Sequence, residues 1–248
     1  MTLVTSPAAV ATFRLRSAEE VQHESSASTD LPLNPPHHVA YVEYDAEELA
    51  ATFHALAKVW EAETGMLSSA QTRVMHPAYQ RTIGLGPAVL PLILRQLAEQ
   101  PDHWFWALHA ITGEDVAPNN TNLAEVCAAW LQWGKEREYF IGQGRVVCVE
   151  YDAEELTVTF RTLADKWWNA TAILSFIQRK VMHPAYQRII GLGPAVLPLI
   201  LKELAERPSH WFWALQSITG ENPVSEEANA VGAREAWLQW GRERGYLT

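Results

Sequence analysis

Cysteine is almost absent from this chain: among 248 residues only Cys127 and Cys148 occur. A disulfide scaffold is excluded, and the two thiols fall at non-equivalent places of a repeat described below, so neither belongs to a duplicated metal motif. Both read as free thiols in a reducing compartment. Long apolar runs are also missing. Without 18 or more consecutive apolar residues there is no candidate helical span, and the opening MTLVTSPAAVATFRLR has no basic stretch ahead of its apolar letters, which makes it a poor secretory signal. The expectation is a cytoplasmic protein with no membrane partner. Basic residues are outnumbered, 19 Lys and Arg against 29 Asp and Glu, for a formal charge of -10 and a pI near 5.4. Nucleic acid demands a concentrated basic face. Here the basic residues alternate with acids, as in KERE at 135–138 and RERG at 242–245, so no nucleic-acid partner is expected.

What the chain does have is repetition. The stretch from His76 to Gly113 returns almost letter for letter from His183 to Gly220, and every equivalence from Tyr44/Tyr151 to Tyr139/Tyr246 keeps an offset of 107 residues. An uninterrupted offset of this length identifies a tandem duplication of a module of about 100 residues. The organisation read from it is a flexible tail over 1–36, rich in Ser, Ala, Thr and Pro, then a helical module over 37–140 and a second over 147–248, joined by a short Gly-containing linker.

Within each copy the signals are helical. A short β-like run, HVAYVEY, precedes Asp45, which with Glu48 has the form of a capping box. Leu49, Phe53, Leu56 and Trp60 then recur at helical spacing, as do Leu156, Phe160, Leu163 and Trp167. A second helix is expected over about 67–75. In HPAYQ, Pro77 suits a first helical position, with His76 as cap. Gly84 and Gly86 end that segment, and Pro91 is expected to bend the helix after it. After Pro101, Asp102 in one copy and Ser209 in the other read as N-caps of the helix carrying HWFWAL. A last helix carries Trp130, Leu131 and Trp133. The fold class expected is all-α, two tandem helical-bundle modules.

Candidate chemistry is sparse. His76, His103 and Glu114, with His183, His210 and Glu221, supply two imidazoles and a carboxylate per copy, the donor types of a metal-dependent hydrolase; their spacing matches no ligand motif, and the helix-start positions favour capping. No metal and no cofactor is expected. The Gly-Leu-Gly turn fits neither nucleotide-binding pattern. Tyr79 and Arg81, with Tyr186 and Arg188, have the makings of an anion clamp, although a packed Tyr bonded to backbone and an Arg paired with a surface acid fit them as well. Three adjacent aromatics in HWFWAL point about 100° apart, so the cluster Trp104, Trp106, Trp130 and Trp133, with its copies Trp211, Trp213, Trp237 and Trp240, is expected to place at least one ring outward or into a groove, as an interface anchor; packing between the modules is the alternative. Finally, Glu61, Ser69, Ala70 and Thr82 become Trp168, Phe176, Ile177 and Ile189 in the second copy. All four changes run from polar or small to large and apolar, and Trp168 and Phe176 are expected to dock the modules or bind a partner.

The segments LGPAVLPLILRQLAE and HWFWALHAITGE have HEAT-type character. More closely, the strings HPAYQ, GLG, HWFWAL, ITGE and AWLQWG, spread over residues 45–140 and 152–247, resemble a family of short bacterial helical proteins of which this chain is a duplicated version. The resemblance assigns no catalytic residue, and it implies a protein partner of the immunity, antitoxin or defence kind. The reading that follows is a non-enzymatic adaptor whose target is another protein; a small metal-dependent hydrolase using the repeated histidines and glutamates is the alternative.

Overall fold

A computed structural model describes residues 11–17, 39–100, 102–116, 122–140, 144–207 and 210–247. The expected cap at Ser209, the helix stop at Pro101, the centre of the linker and all of the tail except 11–17 lie outside the described residues.

The alternating FRLRS and the β-branched and aromatic runs VAYVEYD and VVCVEYD form one antiparallel sheet in the order β1 (Phe13–Ser17), β2 (Val39–Asp45), β3 (Val146–Asp152). Its central pair places Val42 opposite Val149, residues 107 apart, so β2 and β3 are related by the repeat itself. The strand at Phe13–Ser17 corrects the assignment of 1–36 as tail, since these residues pair in register with β2.

Each strand of the β2–β3 pair ends in an aspartate that starts a helix. The carboxylate of Asp45 accepts from the backbone of Glu47 and Glu48, opening α1 (Ala46–Thr64), and Asp152 does the same for α7 (Ala153–Thr171). The first half continues through α2 (Ala70–Val74), α3 (Pro77–Gly84), a 3-10 turn (Gly86–Val89), α4 (Leu90–Glu99), α5 (Phe105–Thr112) and α6 (Leu123–Glu136). The second half repeats this as α8 (Ile177–Val181), α9 (Pro184–Gly191), a 3-10 turn (Gly193–Val196), α10 (Leu197–Glu206), α11 (Phe212–Thr219) and α12 (Ala230–Glu243). The described chain is thus mostly helical, with a small sheet that an all-α assignment leaves out.

His76 caps α3 as its sequence position suggests, its Nδ1 accepting from the Ala78 amide at 3.2 Å. Pro91 falls in the first turn of α4, where the preceding 3-10 turn absorbs the change of direction and no break results. Asp102 does not cap α5. The helix begins at Phe105, and the Asp102 carboxylate instead takes the His103 amide at 2.6 Å and the Arg73 guanidinium at 3.2 Å.

Among the described residues, the buried hydrophobic side chains of both halves form one continuous cluster, with Val39 and Tyr41 as a separate pair. Separate cores were the expectation; the packing of α3 against α11 and of α9 against α5 merges them. Glycine makes these contacts possible. At Gly84 an added Cβ would run into the Ser217 carbonyl of α11, and at Gly191 into the Ala110 carbonyl of α5. Gly86 and Gly193, at φ +71° and +73°, face one another so closely that a Cβ on either would come within 2.9 Å of the other's Cα.

Candidate interaction surface

Most of the residues singled out in the sequence are interior. Trp104, Tyr79 and Trp60 close into a cluster: Tyr79 stacks on Trp104 at 5.2 Å and 8°, and Trp60 meets Trp104 at 4.7 Å. Tyr186, Trp211 and Trp167 repeat it at 5.4 and 4.7 Å. The Tyr79 hydroxyl donates to the His103 carbonyl at 2.8 Å and accepts from the Ala107 amide at 3.0 Å, satisfying the polar end of the tyrosine. Burial pushes both tyrosine hydroxyls well above their ordinary pKa. Trp104 and Trp211 are therefore core residues, which corrects their assignment as surface anchors, and Tyr79 and Tyr186 are packed and backbone-bonded, which removes them from a partner-binding surface.

Trp133 and Trp240 are buried as well, each donating its indole N–H to a glutamate, Glu114 at 2.8 Å and Glu221 at 2.9 Å. Arg137 and Arg244 lie over the outer faces of these rings, 4.4 Å from the centroids, and pair with the same glutamates. The duplicated carboxylates Glu114 and Glu221 are thus occupied in fixing Trp and Arg. His76 caps α3 and contacts Glu63 at 2.9 Å, while His103 contacts Asp102 at 2.8 Å, so the three candidate ligands of the first copy serve different local structures. Among the described residues no group of three or more His, Cys, Asp or Glu is placed to hold a metal ion.

Arg81 and Arg188 also depart from expectation. Neither guanidinium is given a surface acid; each crosses to the other half and donates to the end of a helix. Arg81 Nη1 reaches the Ile218 carbonyl of α11 at 2.6 Å, and Arg188 Nη1 the Ile111 carbonyl of α5 at 2.5 Å. A cation at a helix C-terminus meets the negative end of the helix dipole and fills orphan carbonyls. The arginine then lies against the left-handed glycine that ends the helix, Gly220 or Gly113, where a Cβ would sit 2.8 Å from the Nε. The left-handed φ and this close approach both call for glycine at these two places. Burial lowers the pKa of both arginines from their ordinary value.

Trp106 and Trp213 are half-buried beside the junction of the halves. Trp213 donates to Gln80 Oε1 at 3.1 Å, whereas the Trp106 indole N–H has no partner.

Two of the candidates remain as surface. Along α7 the inward positions are Leu156, Phe160, Ala164, Trp167 and Thr171, so Trp168, one residue beyond Trp167, turns about 100° away and is 47% exposed. Past the helix end, Ile173 is 91% exposed and Phe176 69%, and Ile177 is exposed beside them. In the first copy Ser69 occupies the place of Phe176 and its hydroxyl accepts from the Thr72 amide at 3.3 Å, capping α2. Phe176 leaves α8 without any side-chain cap. The exchange therefore gives up a capping bond, typically about 1 kcal/mol, and exposes an aromatic ring to water. The ring keeps a contact with the Arg179 guanidinium, 6.0 Å from its centroid, at the outer limit of a cation–π interaction and too distant to make good the cap. Ile189, the fourth residue of the divergent set, is buried and belongs to the core, which removes it from the surface group. The capping position of residue 176 is readable from its copy at Ser69; the crossing of Arg81 and Arg188 had no such signal.

No helix of the described residues is long and apolar enough to cross a membrane. Neither protein-family models nor curated proteins nor solved structures give a match to this chain.

Proposed function

We infer that this protein is a non-enzymatic adaptor: a scaffold of two equivalent helical modules, with HEAT-like stacking of helix pairs, that binds another protein through the apolar corner where α7 turns into α8. The observation that carries this reading is Phe176. It replaces a capping serine at a folding cost and stands exposed, as do Trp168, Ile173 and Ile177 in the same stretch of chain. Residues that weaken folding while adding exposed apolar area are best explained by use in recognition, and Trp is the residue type most enriched at binding hot spots. A bacterial partner of the immunity, antitoxin or defence kind, which the family resemblance implies, belongs to the same proposal.

Photocrosslinking tests it. With benzoylphenylalanine at position 168, the expected result is one dominant protein adduct in cells of the native host, absent when the photoreactive residue sits at Glu61, the equivalent place of the other copy. The adduct should disappear in the Phe176→Ser background. Equal adduct patterns from positions 168 and 61 would contradict the proposal.

A further inference from the structure

The two halves share their elements pair by pair except in one place. β2 has a neighbour on each side, β1 and β3, whereas β3 pairs only with β2 among the described residues. Among the described residues the second half has no counterpart of β1: Leu123 and Ala124, 107 residues beyond Arg16 and Ser17, are already the first turn of α6.

What β1 does on its side is specific. Ala11 is buried, Thr12 donates its hydroxyl to Glu48 Oε2 at 2.8 Å, the Phe13 ring lies 6.1 Å from that of Tyr44, and Leu15 is paired with Val42. On the other side, at the equivalent place, there is a cavity of about 210 Å³ lined by Pro87, Tyr151, Glu155, Leu156, Thr159 and Arg188. These residues are the counterparts of Pro194, Tyr44, Glu48, Leu49, Thr52 and Arg81. Where β1 is present Pro194, Tyr44, Thr52 and Arg81 are buried; where it is absent Pro87, Tyr151, Thr159 and Arg188 are only half-buried. The cavity has the shape and chemistry of a strand-binding place seen from its unfilled copy.

We propose that the outer edge of β3 and this cavity form an acceptor for one extended peptide strand from a different protein, with a small residue, a threonine, an aromatic residue and, two further on, a leucine. The pattern is that of Ala11, Thr12, Phe13 and Leu15. Main-chain hydrogen bonds to β3 give affinity, the cavity takes the aromatic ring, and Glu155 accepts from the threonine as Glu48 does from Thr12. An uncovered edge strand is otherwise a liability for aggregation. Exchange of β1 between copies covers no further edge, because each chain has one β1 for two edges, and the β3 of a second copy, VVCVEYD, lacks the Ala-Thr-Phe-x-Leu pattern that fits the cavity and Glu155. This site is distinct from the apolar corner, which lies toward the other end of α7, with Trp168 about 14 Å along the helix from Thr159 at 1.5 Å per residue.

The test uses the full chain and a fluorescein-labelled peptide of sequence VATFRLRSA, followed by anisotropy, with a second version carrying benzoylphenylalanine in place of Phe. Saturable one-to-one binding is expected, with crosslinks within residues 150–159. Thr159→Trp, which fills the cavity, should weaken binding at least tenfold, and Glu155→Lys, an exposed change that spares the core, about tenfold, the worth of a hydrogen bond to a charged group. Trp168→Glu with Phe176→Ser should leave peptide binding unchanged, so the two proposed surfaces fail separately. No saturation at 1 mM peptide would overturn the assignment. So would crosslinks within 43–52, which mean displacement of β1, or a dimer in sedimentation that Thr159→Trp dissociates, which means that a second copy covers the edge.

Discussion

Gln80 and Gln187, separated by the repeat length, exchange side-chain hydrogen bonds across the centre of the molecule: Gln80 Nε2 donates to Gln187 Oε1 at 2.9 Å and Gln187 Nε2 returns the bond at 3.0 Å. Each amide also donates to a carbonyl of its own half, Val74 or Val181, at 3.0 Å. A buried carboxamide satisfied this fully ties the two copies together in a single orientation.

Removing one partner should therefore be worse than removing both would suggest. Gln80→Leu is expected to cost about 1–3 kcal/mol because Gln187 and Trp213 are left with buried unpaired groups. Gln187→Leu should cost somewhat less, since only Gln80 bonds to an indole. The Gln80→Leu, Gln187→Leu double variant should lose less than the sum of the singles, a coupling of about 1 kcal/mol or more in urea melts.

Gly84 and Gly191 should tolerate no side chain. Alanine at either would push α3 off α11, or α9 off α5, and overpacking of this kind costs about 1–3 kcal/mol or more. Gly144, with open space around it, is the control. Gly144→Ala should leave the urea midpoint within about 0.5 kcal/mol of the parent.

Stability should fall on mild acidification. His183 and His210 are both held below the ordinary value of 6.5, first by burial and then by Lys166 and Lys180 respectively. Above pH 6.5 both states are neutral and neither histidine contributes. As pH falls through 6.5 the unfolded chain binds protons first, which favours unfolding until the folded-state values are also passed. Asp102, held low despite burial by its bonds from His103 and by Arg73, acts in a lower window: its contribution is present above the ordinary 3.8 and is lost as pH falls through its folded value. Melts between pH 7.5 and 5 should show the first decline, reduced in a His183→Asn, His210→Asn variant.

Phe176→Ser should do two opposite things. Restoring the cap that Ser69 provides in the first copy should raise stability by about 1 kcal/mol, while partner binding is weakened. A gain in midpoint by chemical denaturation alongside a weaker photocrosslink at position 168 would show function and folding in competition at one residue. A loss of stability would mean that the phenylalanine serves the fold.

Much of this was legible in the residues. The offset of 107 revealed the repeat, His76 and Pro77 announced the start of α3, and Asp45 with Glu48 marked that of α1. How the copies meet was not legible, because a repeat carries no sign of whether Arg81 caps a helix in its own half or in the other, and Gly84 reads equally as a stop and as a point of close approach. The aromatic string HWFWAL misled for a related reason. Its helix starts two residues later than Asp102 suggested, and Trp104, at the cap position, turns inward onto Tyr79. The strand at Phe13–Ser17 was hidden because so short a run has no stability without β2, which follows it in sequence only after residue 38.

The central claim is that both copies share one core and stand or fall together. Differential scanning calorimetry of the full chain tests this most directly. A single transition with equal calorimetric and van't Hoff enthalpies is the result expected of one cooperative unit. Two transitions, or a calorimetric enthalpy about twice the van't Hoff value, would show that the halves unfold independently and would contradict it.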